Sequence, residues 1–172
     1  SNYLKNNNEK FDLIIIDASH LYSEVFEDLE NSKKIISDNG FIVGDDYEMK
    51  FSNVSNVNLN ELCNQRLDIY YDNSKKMKFH PGVTMAVYKS FGDLNSINGL
   101  FCIQNKNQNF TDYSKELQNN NKWLKKIMIN WQIKNELKEF LLKYKNSKVL
   151  DFGCGDARYK KLVQENNNYI GV

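Results

Sequence analysis

Two short apolar blocks that flank an amphipathic one, within residues 11–47, constrain the fold more than any other stretch. Residues 13–16 are unalternating and rich in isoleucine, which is typical of a strand buried on both faces of a parallel sheet. Apolar residues recur at mostly helical spacing over residues 21–36, and residues 41–43 predict a second buried strand. A strand, a helix and a strand with so short a return predict two neighbouring parallel strands joined by a right-handed crossover.

Carboxylates follow both predicted strands. Asp17 comes after the first strand, and Asp45 and Asp46 come after the second. Carboxyl ends of parallel strands meet at the edge where open α/β folds bind ligands, so these acids should face one pocket. Neighbouring carboxylates repel unless a cation or donors compensate, and carboxylate oxygens are the ligands of Mg²⁺ and Ca²⁺. We therefore predict a metal site at the three aspartates; alternatively, Asp17 only caps the following helix.

A turn separates the predicted helix from the second strand. Asp38, Asn39 and Gly40 interrupt the helical pattern, and Asn39 or Gly40 can take the left-handed conformation that a helix end favours.

These motifs together resemble a known family. The run Asp-Ala-Ser-His at residues 17–20, with the later Gly-Asp-Asp-Tyr at residues 44–47, resembles the fourth and fifth strands of class I S-adenosylmethionine-dependent methyltransferases. It is most similar to the small-molecule and sugar O-methyltransferases, whose pattern has Gly and Asp at the positions of Ala18 and Ser19. The resemblance implies an α/β Rossmann-like fold, with a doubly wound, mostly parallel sheet that is incomplete at both ends of this chain.

A second motif of the same class lies near the end of the sequence. Residues 149–156 read Val-Leu-Asp-Phe-Gly-Cys-Gly-Asp, and a strand followed by a glycine-rich turn and a helix begins many nucleotide-binding βαβ units. Two glycines after a strand are weak evidence alone, but the full run resembles the first strand and loop of class I methyltransferases. The resemblance implies that Asp151, Gly153 and Gly155 surround the methionine moiety of S-adenosylmethionine, and that residues 169–172 form the second strand.

The motifs occur in the reverse of the family's order: those of the second half of the fold come before those of the first half. We interpret residues 1–106 as the C-terminal half of a methyltransferase domain, residues 107–147 as a linker and amphipathic helix, and residues 148–172 as the start of a second domain. The rival interpretation is a circular permutation, in which residues 148–172 complete the sheet of the first segment. We prefer the tandem arrangement because a permutation leaves the third strand of the fold unaccounted for.

The intervening segments predict a loop, a helix and a last strand. Residues 48–78 are mostly polar without a sustained period, and a loop this long at the ligand edge is expected to cover the substrate, or else to be a disordered insertion. His80 precedes Pro81, which suits the first turn of a helix ending at Gly92. His80 is either a second base or substrate contact, or an ordinary loop residue. Residues 99–104 predict the final strand of the sheet.

Composition excludes some classes of function. The 172 residues carry a net charge of +1 and are 41% hydrophobic, so no global attraction to nucleic acid or to an anionic membrane is expected. No apolar run reaches the length of a membrane span. Three widely spaced cysteines suggest reduced thiols and a cytoplasmic location. The sequence leaves the oligomeric state open.

The leading hypothesis is methyl transfer from S-adenosylmethionine to a hydroxyl of a small-molecule acceptor, with a sugar or glycan precursor favoured. His20 follows Asp17 on the turn into the helix, so it is the predicted general base, with Mg²⁺ held by the three aspartates against the acceptor oxygen. His20 could instead only cap or pack at the start of the helix. Other hypotheses are an oxidoreductase on a similar sheet and a non-catalytic module derived from a methyltransferase.

Overall fold

The computed structural model describes residues 9–54, 57–116, 146–152, 160 and 167–172. Three α-helices lie within this part: α1 (Tyr22–Ile35), α2 (Leu59–Asn64) and α3 (Pro81–Phe91). α1 follows the predicted amphipathic pattern and α3 begins at the predicted proline, whereas α2 lies in the segment between them. Eight strands are present among the described residues: β1 (Phe11–Ile16), β2 (Ile36–Gly44), β3 (Tyr70–Asp72), β4 (Met77–Phe79), β5 (Phe101–Lys106), β6 (Asn109–Asp112), β7 (Lys148–Phe152) and β8 (Asn168–Gly171).

Six of these strands form one sheet in the order β6-β5-β2-β1-β7-β8, and β3 and β4 form a separate hairpin. The four strands β2, β1, β7 and β8 are parallel neighbours, whereas β5 runs antiparallel to both β2 and β6. The chain is therefore a mixed α/β protein with a mostly parallel sheet, as expected of a Rossmann-like fold.

Both faces of the sheet are buried. Alternate residues of the same strand belong to apolar clusters on opposite faces. Ile14, Ile42 and Leu150 lie on the face covered by α1 and α3, whereas Leu13 and Val149 belong to a second apolar cluster. Because both faces of β1 are apolar, its sequence shows a continuous run instead of alternation. The sequence prediction of a buried parallel strand is confirmed here.

The turn after α1 differs from the prediction. The helix ends at Ile35, and β2 begins at once and includes residues 38–40. Asn39 does take a positive φ of 64°, but it lies within an extended segment. The pairing register between β1 and β2 shifts at this point, so the irregularity accommodates the left-handed residue within the strand and not at the helix end.

Two further predictions are corrected. Residues 48–78 are not a featureless loop, because they contain a short 3₁₀ turn, α2 and the β3–β4 hairpin, packed around Met49, Leu62 and Phe79. The strand predicted at residues 99–104 is present as β5 but is not the last one, since β6 pairs along its outer side. β6 lies within the stretch interpreted as a linker and amphipathic helix; residues 117–145 of that stretch lie outside the described part.

The expected separate unit at residues 148–172 is also corrected. β7 pairs in parallel with β1, from Leu13 opposite Val149 to Ile16 opposite Phe152, and β8 pairs with β7. Val149 and Leu150 are fully buried in the clusters formed by the first segment, which provides the physical reason for the docking. This pairing agrees with the permuted interpretation. The division of a longer product into tandem domains stays a prediction.

Within the described part of the chain, no helix has both the length and the apolar character needed to cross a membrane.

Candidate functional site

The carboxyl ends of three parallel strands meet at one edge of the sheet. Ile16, the last residue of β1, is paired with Gly44 on one side and with Phe152 on the other. Asp17 and Asp45 are the next residues of their strands and therefore leave the sheet side by side. The prediction that these acids share an edge is confirmed, and β7 ends at the same edge, with Phe152 paired to Ile16.

Asp45 lies in an environment that opposes its ionisation. Burial raises the pKa of its carboxyl group, and the nearby carboxylates of Asp17 and Asp46 raise it further, to about 7. A hydrogen bond from backbone and the charge of His20 act in the opposite direction but are weaker. The aspartates thus concentrate negative charge that a proton, a cation or a donor would relieve.

Asp46 is held in place by the backbone on either side of it. It takes a positive φ of 56°, which is uncommon for a residue with a side chain. Tyr47 is fully buried, and its N–H donates to the Gly99 carbonyl at 2.8 Å. The burial of Tyr47 and this hydrogen bond therefore anchor the backbone next to Asp46.

His20 lies between two carboxylates. Its Nε2 is 2.9 Å from Asp46 Oδ2, and its Nδ1 is 2.7 Å from Asp68 Oδ1. A neutral imidazole carries one N–H, so it can donate to only one of these oxygens at a time. The predicted alternative was that His20 only caps or packs at the start of the helix. Its capping part does not hold, because no side chain caps α1 and Ser19 Oγ accepts from the Leu21 N–H.

His80 is the second imidazole at this edge and is more enclosed. Its Nδ1 is 2.9 Å from Glu48 Oε1 and 3.8 Å from Asp46 Oδ1, and its backbone N–H donates to Glu48 Oε2. Burial opposes protonation of His80, but the hydrogen bond and charge of Glu48, with smaller contributions from Asp46 and Asp68, raise its pKa above the ordinary value. The His20 and His80 ring centroids are 4.3 Å apart.

The starts of two helices bring the imidazoles together. His80 precedes α3, with Pro81 at the first helical position, and His20 lies two residues before α1. The next residue of α3 is Gly82, where an added Cβ would lie 2.2 Å from the His20 carbonyl oxygen. The close packing of α3 against the chain at His20 therefore requires glycine and sets the spacing of the two rings.

The segment between β2 and α3 contributes a residue to the site. Asp68 lies between α2 and β3 and reaches back to His20. Ile69 and Tyr71, close to it in sequence, are the exposed large apolar side chains of the described part, at 48% and 46% exposure. The same segment thus contributes a polar contact to His20 and two exposed apolar side chains.

The site differs in part from the set predicted from the sequence. Described side chains whose ligand atoms lie within 4.8 Å of one another form two sets, Asp46 with Glu48 and His80, and His20 with Asp68 and His80. Asp46 belongs to one of them, whereas Asp17 and Asp45 belong to neither, and the charge of Asp17 raises the pKa of Asp45. Sequence reasoning missed Glu48 and Asp68, because neither follows a strand nor belongs to a motif.

The predicted cofactor residues are described only in part. Asp151 is buried on β7, paired with Ile15, and its Oδ2 accepts a hydrogen bond from the Tyr169 hydroxyl at 2.6 Å. A carboxylate held this rigidly at the ligand edge fits an acid that helps to position a polar ligand. Gly153 and Gly155 lie outside the described residues.

The first part of the chain matches a known protein family. Residues 1–47 match the family model of a methyltransferase domain. This segment contains β1, α1, β2 and the aspartates Asp17, Asp45 and Asp46, so the match coincides with the described ligand edge. No curated protein and no solved structure matches the chain. The match supports a class I methyltransferase and methyl transfer as the general activity.

Proposed function

We propose that this protein transfers a methyl group from S-adenosylmethionine to a hydroxyl of a small molecule, with a sugar or glycan precursor as the favoured acceptor. The observation that carries the proposal is the coincidence of the methyltransferase match at residues 1–47 with an edge that holds an imidazole among carboxylates. The acceptor class rests on the resemblance of the motifs at residues 17–20 and 44–47 to sugar O-methyltransferases.

The cofactor is proposed to lie between the carboxyl ends of β7 and β1. Asp151, Gly153 and Gly155 would hold its methionine moiety, since β7 ends opposite Ile16 and leads directly into the glycines. S-adenosylmethionine supplies an electrophilic methyl group on a sulfonium. The residues of this chain then have to orient the acceptor hydroxyl and accept its proton.

His20 is the proposed general base. Asp68 accepts the N–H at Nδ1, so Nε2, which lies 2.9 Å from Asp46 Oδ2, is the nitrogen that can accept a proton. An acceptor hydroxyl has to displace the Asp46 carboxylate from Nε2, because two atoms at this distance leave no room for a third, and it can then donate its proton to the imidazole. Asp68 would then act as a positioning residue, because it fixes the tautomer and stabilises the imidazolium that forms.

The negative charge at Asp17, Asp45 and Asp46 fits a hard cation beside the acceptor. Burial and mutual repulsion oppose ionisation of Asp45, and Mg²⁺ at these oxygens would remove that penalty. A cation there would also lower the pKa of an acceptor hydroxyl. The three aspartates are thus proposed either as Mg²⁺ ligands or as negatively charged side chains that line the acceptor pocket.

The test is a transfer assay with radiolabelled S-adenosylmethionine on the complete protein and a panel of hydroxylated small molecules, including sugars. His20→Ala should lower the transfer rate by about two to four orders of magnitude, since it removes the base. Cofactor affinity measured by calorimetry should stay nearly unchanged, because His20 is not one of the proposed cofactor residues.

Gly153→Val is the complementary variant. Its side chain would fill space that the methionine moiety needs, so cofactor binding should be lost while the fold is retained. Wild-type turnover in His20→Ala would remove the base from this mechanism. Unchanged cofactor affinity in Gly153→Val would remove the assigned cofactor site, and full activity after exhaustive chelation would remove the metal.

A further inference from the structure

We propose that Asp46, Glu48 and His80 form a site for a divalent transition-metal cation such as Zn²⁺ or Co²⁺. The site uses one imidazole nitrogen and two carboxylate oxygens at the ligand edge of the sheet. It shares Asp46 with the three-aspartate set but differs from it in the other two residues and in donor type, and it requires neither S-adenosylmethionine nor an acceptor.

The distances already approach those of a metal complex. The three ligand atoms lie within 4.8 Å of one another, with His80 Nδ1 2.9 Å from Glu48 Oε1 and 3.8 Å from Asp46 Oδ1. Ligands at ordinary zinc bond lengths in a tetrahedral site are about 3–3.5 Å apart. Small side-chain rotations, without backbone movement, would therefore close the site around an ion.

The backbone that carries the ligands is anchored on both sides. Glu48 lies between the buried Tyr47 and Met49, and the Met49 carbonyl accepts a hydrogen bond from Thr84 Oγ1 of α3 at 3.0 Å. His80 is only 9% exposed and immediately precedes the same helix. The strand end and the helix start are thus joined, so ion binding would require little ordering of the chain.

The donor set selects the class of metal. Imidazole nitrogen is a common ligand of zinc, cobalt, nickel and iron, whereas Mg²⁺ and Ca²⁺ prefer sites made of oxygen. Two carboxylates balance the charge of a divalent ion, and three protein ligands leave at least one coordination position open. A mixed nitrogen and oxygen site of this kind favours a transition metal over Mg²⁺.

His80 also belongs to the second possible ligand set, with His20 and Asp68. The exposures of the carboxylates decide between the two sets. The Asp68 side chain is 61% exposed, whereas those of Asp46 and Glu48 are 29% and 27% exposed. Water competes less strongly for the metal at the more enclosed set, so we assign the ion to Asp46, Glu48 and His80.

The experiment is a titration of the full chain with Co²⁺, followed by visible absorption. We expect ligand-field bands that saturate at one equivalent, without sulfur-to-cobalt charge transfer from the cysteines, and excess Mg²⁺ should not displace the ion. Glu48→Gln and His80→Gln should each weaken Co²⁺ binding by at least about 100-fold, since even residues behind the ligands change metal affinity by about 10–100-fold. Glu61→Gln is the matched control, because Glu61 is exposed on α2, and it should bind Co²⁺ like the wild type.

The fold of each variant is checked by circular dichroism. If His80→Gln does not fold, Glu48→Gln and imidazole NMR of the wild type decide, because the chain has only two histidines and Zn²⁺ should perturb the His80 ring nitrogens most. Three results would overturn the assignment: no saturable binding, wild-type affinity in Glu48→Gln, or a loss of affinity in Asp68→Asn that Glu48→Gln does not share.

Discussion

At the scale of single residues, the protonation of Asp45 makes the stability of the protein depend on pH. An aspartate in an unfolded chain has a pKa of about 4, whereas burial and the carboxylates of Asp17 and Asp46 raise that of Asp45 to about 7 in the folded protein. The folded state therefore holds a proton that the unfolded state releases between these values. The contribution of Asp45 to the free energy of unfolding is full below about pH 4 and is lost as pH rises through about 7.

Asp45→Asn removes this titration without changing the shape of the side chain. We expect the variant and the wild type to be similarly stable near pH 4, and the variant to be more stable by roughly 1–3 kcal/mol at pH 8. Urea unfolding without added metal, at several pH values, measures the difference. Asp38→Asn, at an exposed position of β2, controls for the loss of one charge; equal pH dependence in wild type and Asp45→Asn would contradict the prediction.

The sequence predicted the edge at which these residues meet but not all the partners within it. Asp17, Asp45 and Asp46 could be placed because each follows a buried strand, and strand ends have fixed positions in a parallel sheet. Glu48 and Asp68 could not be placed, since their positions depend on the path of an irregular segment. His80 was identified from its position before Pro81, but its pairing with Glu48 follows from tertiary packing.

At the scale of elements, the contact between α1 and α3 sets the geometry of the two imidazoles. The helices pack through Val25, Leu29 and Val87 on one face of the sheet. Gly82 lets the start of α3 approach the chain that leads into α1, where a Cβ would lie 2.2 Å from the His20 carbonyl oxygen and 2.5 Å from the Tyr22 nitrogen. Both neighbours are backbone atoms, so a side-chain rotation cannot relieve the contact.

Gly82→Ala should therefore force the two helix starts apart. We expect a loss of about 1–3 kcal/mol in the free energy of unfolding, the usual cost of overpacking a filled site. Chemical shifts should change at both imidazoles as their 4.3 Å contact opens. Urea unfolding and histidine NMR measure the two effects. Wild-type stability with unchanged histidine signals would show that this contact does not set the spacing.

The periodicity of α1 and the proline at the start of α3 were sufficient to predict both helices. The short elements between them were not predicted, because α2 has six residues and each strand of the hairpin has three. Elements of this length do not display a full period of apolar residues. They are stabilised by the apolar cluster around Leu62 and Phe79, which becomes visible only when the chain is folded.

At the scale of the whole molecule, the late segment and the early segment share one sheet. Two separate halves were expected because the order of motifs is that of two successive domains. The structure pairs β7 with β1 in register, and both strands contribute residues to both apolar clusters of the sheet. A sequence pattern specifies that such a strand is buried but does not name its neighbour, so motif order alone could not decide the question.

This arrangement predicts that β7 stabilises strands far from it in the sheet. Leu150 is fully buried and contacts the cluster formed by β1, β2 and the two long helices. Cys102 lies on β5, separated from β7 by β2 and β1, and its side chain is only 6% exposed. If the sheet unfolds as one unit, destabilising β7 should expose the Cys102 thiol.

Leu150→Ala should lower the free energy of unfolding by about 2–5 kcal/mol, the usual cost of removing a buried leucine side chain. The labelling of Cys102 by a thiol reagent should then accelerate by at least about 30-fold, because labelling through cooperative opening follows the population of the open state. Leu100→Ala, at a half-buried position in the turn before β5, is the matched control and should have a smaller effect. Unchanged labelling of Cys102 in Leu150→Ala would show that residues 148–172 fold independently of the first segment, because the buried thiol would then report no loss of stability when β7 is weakened.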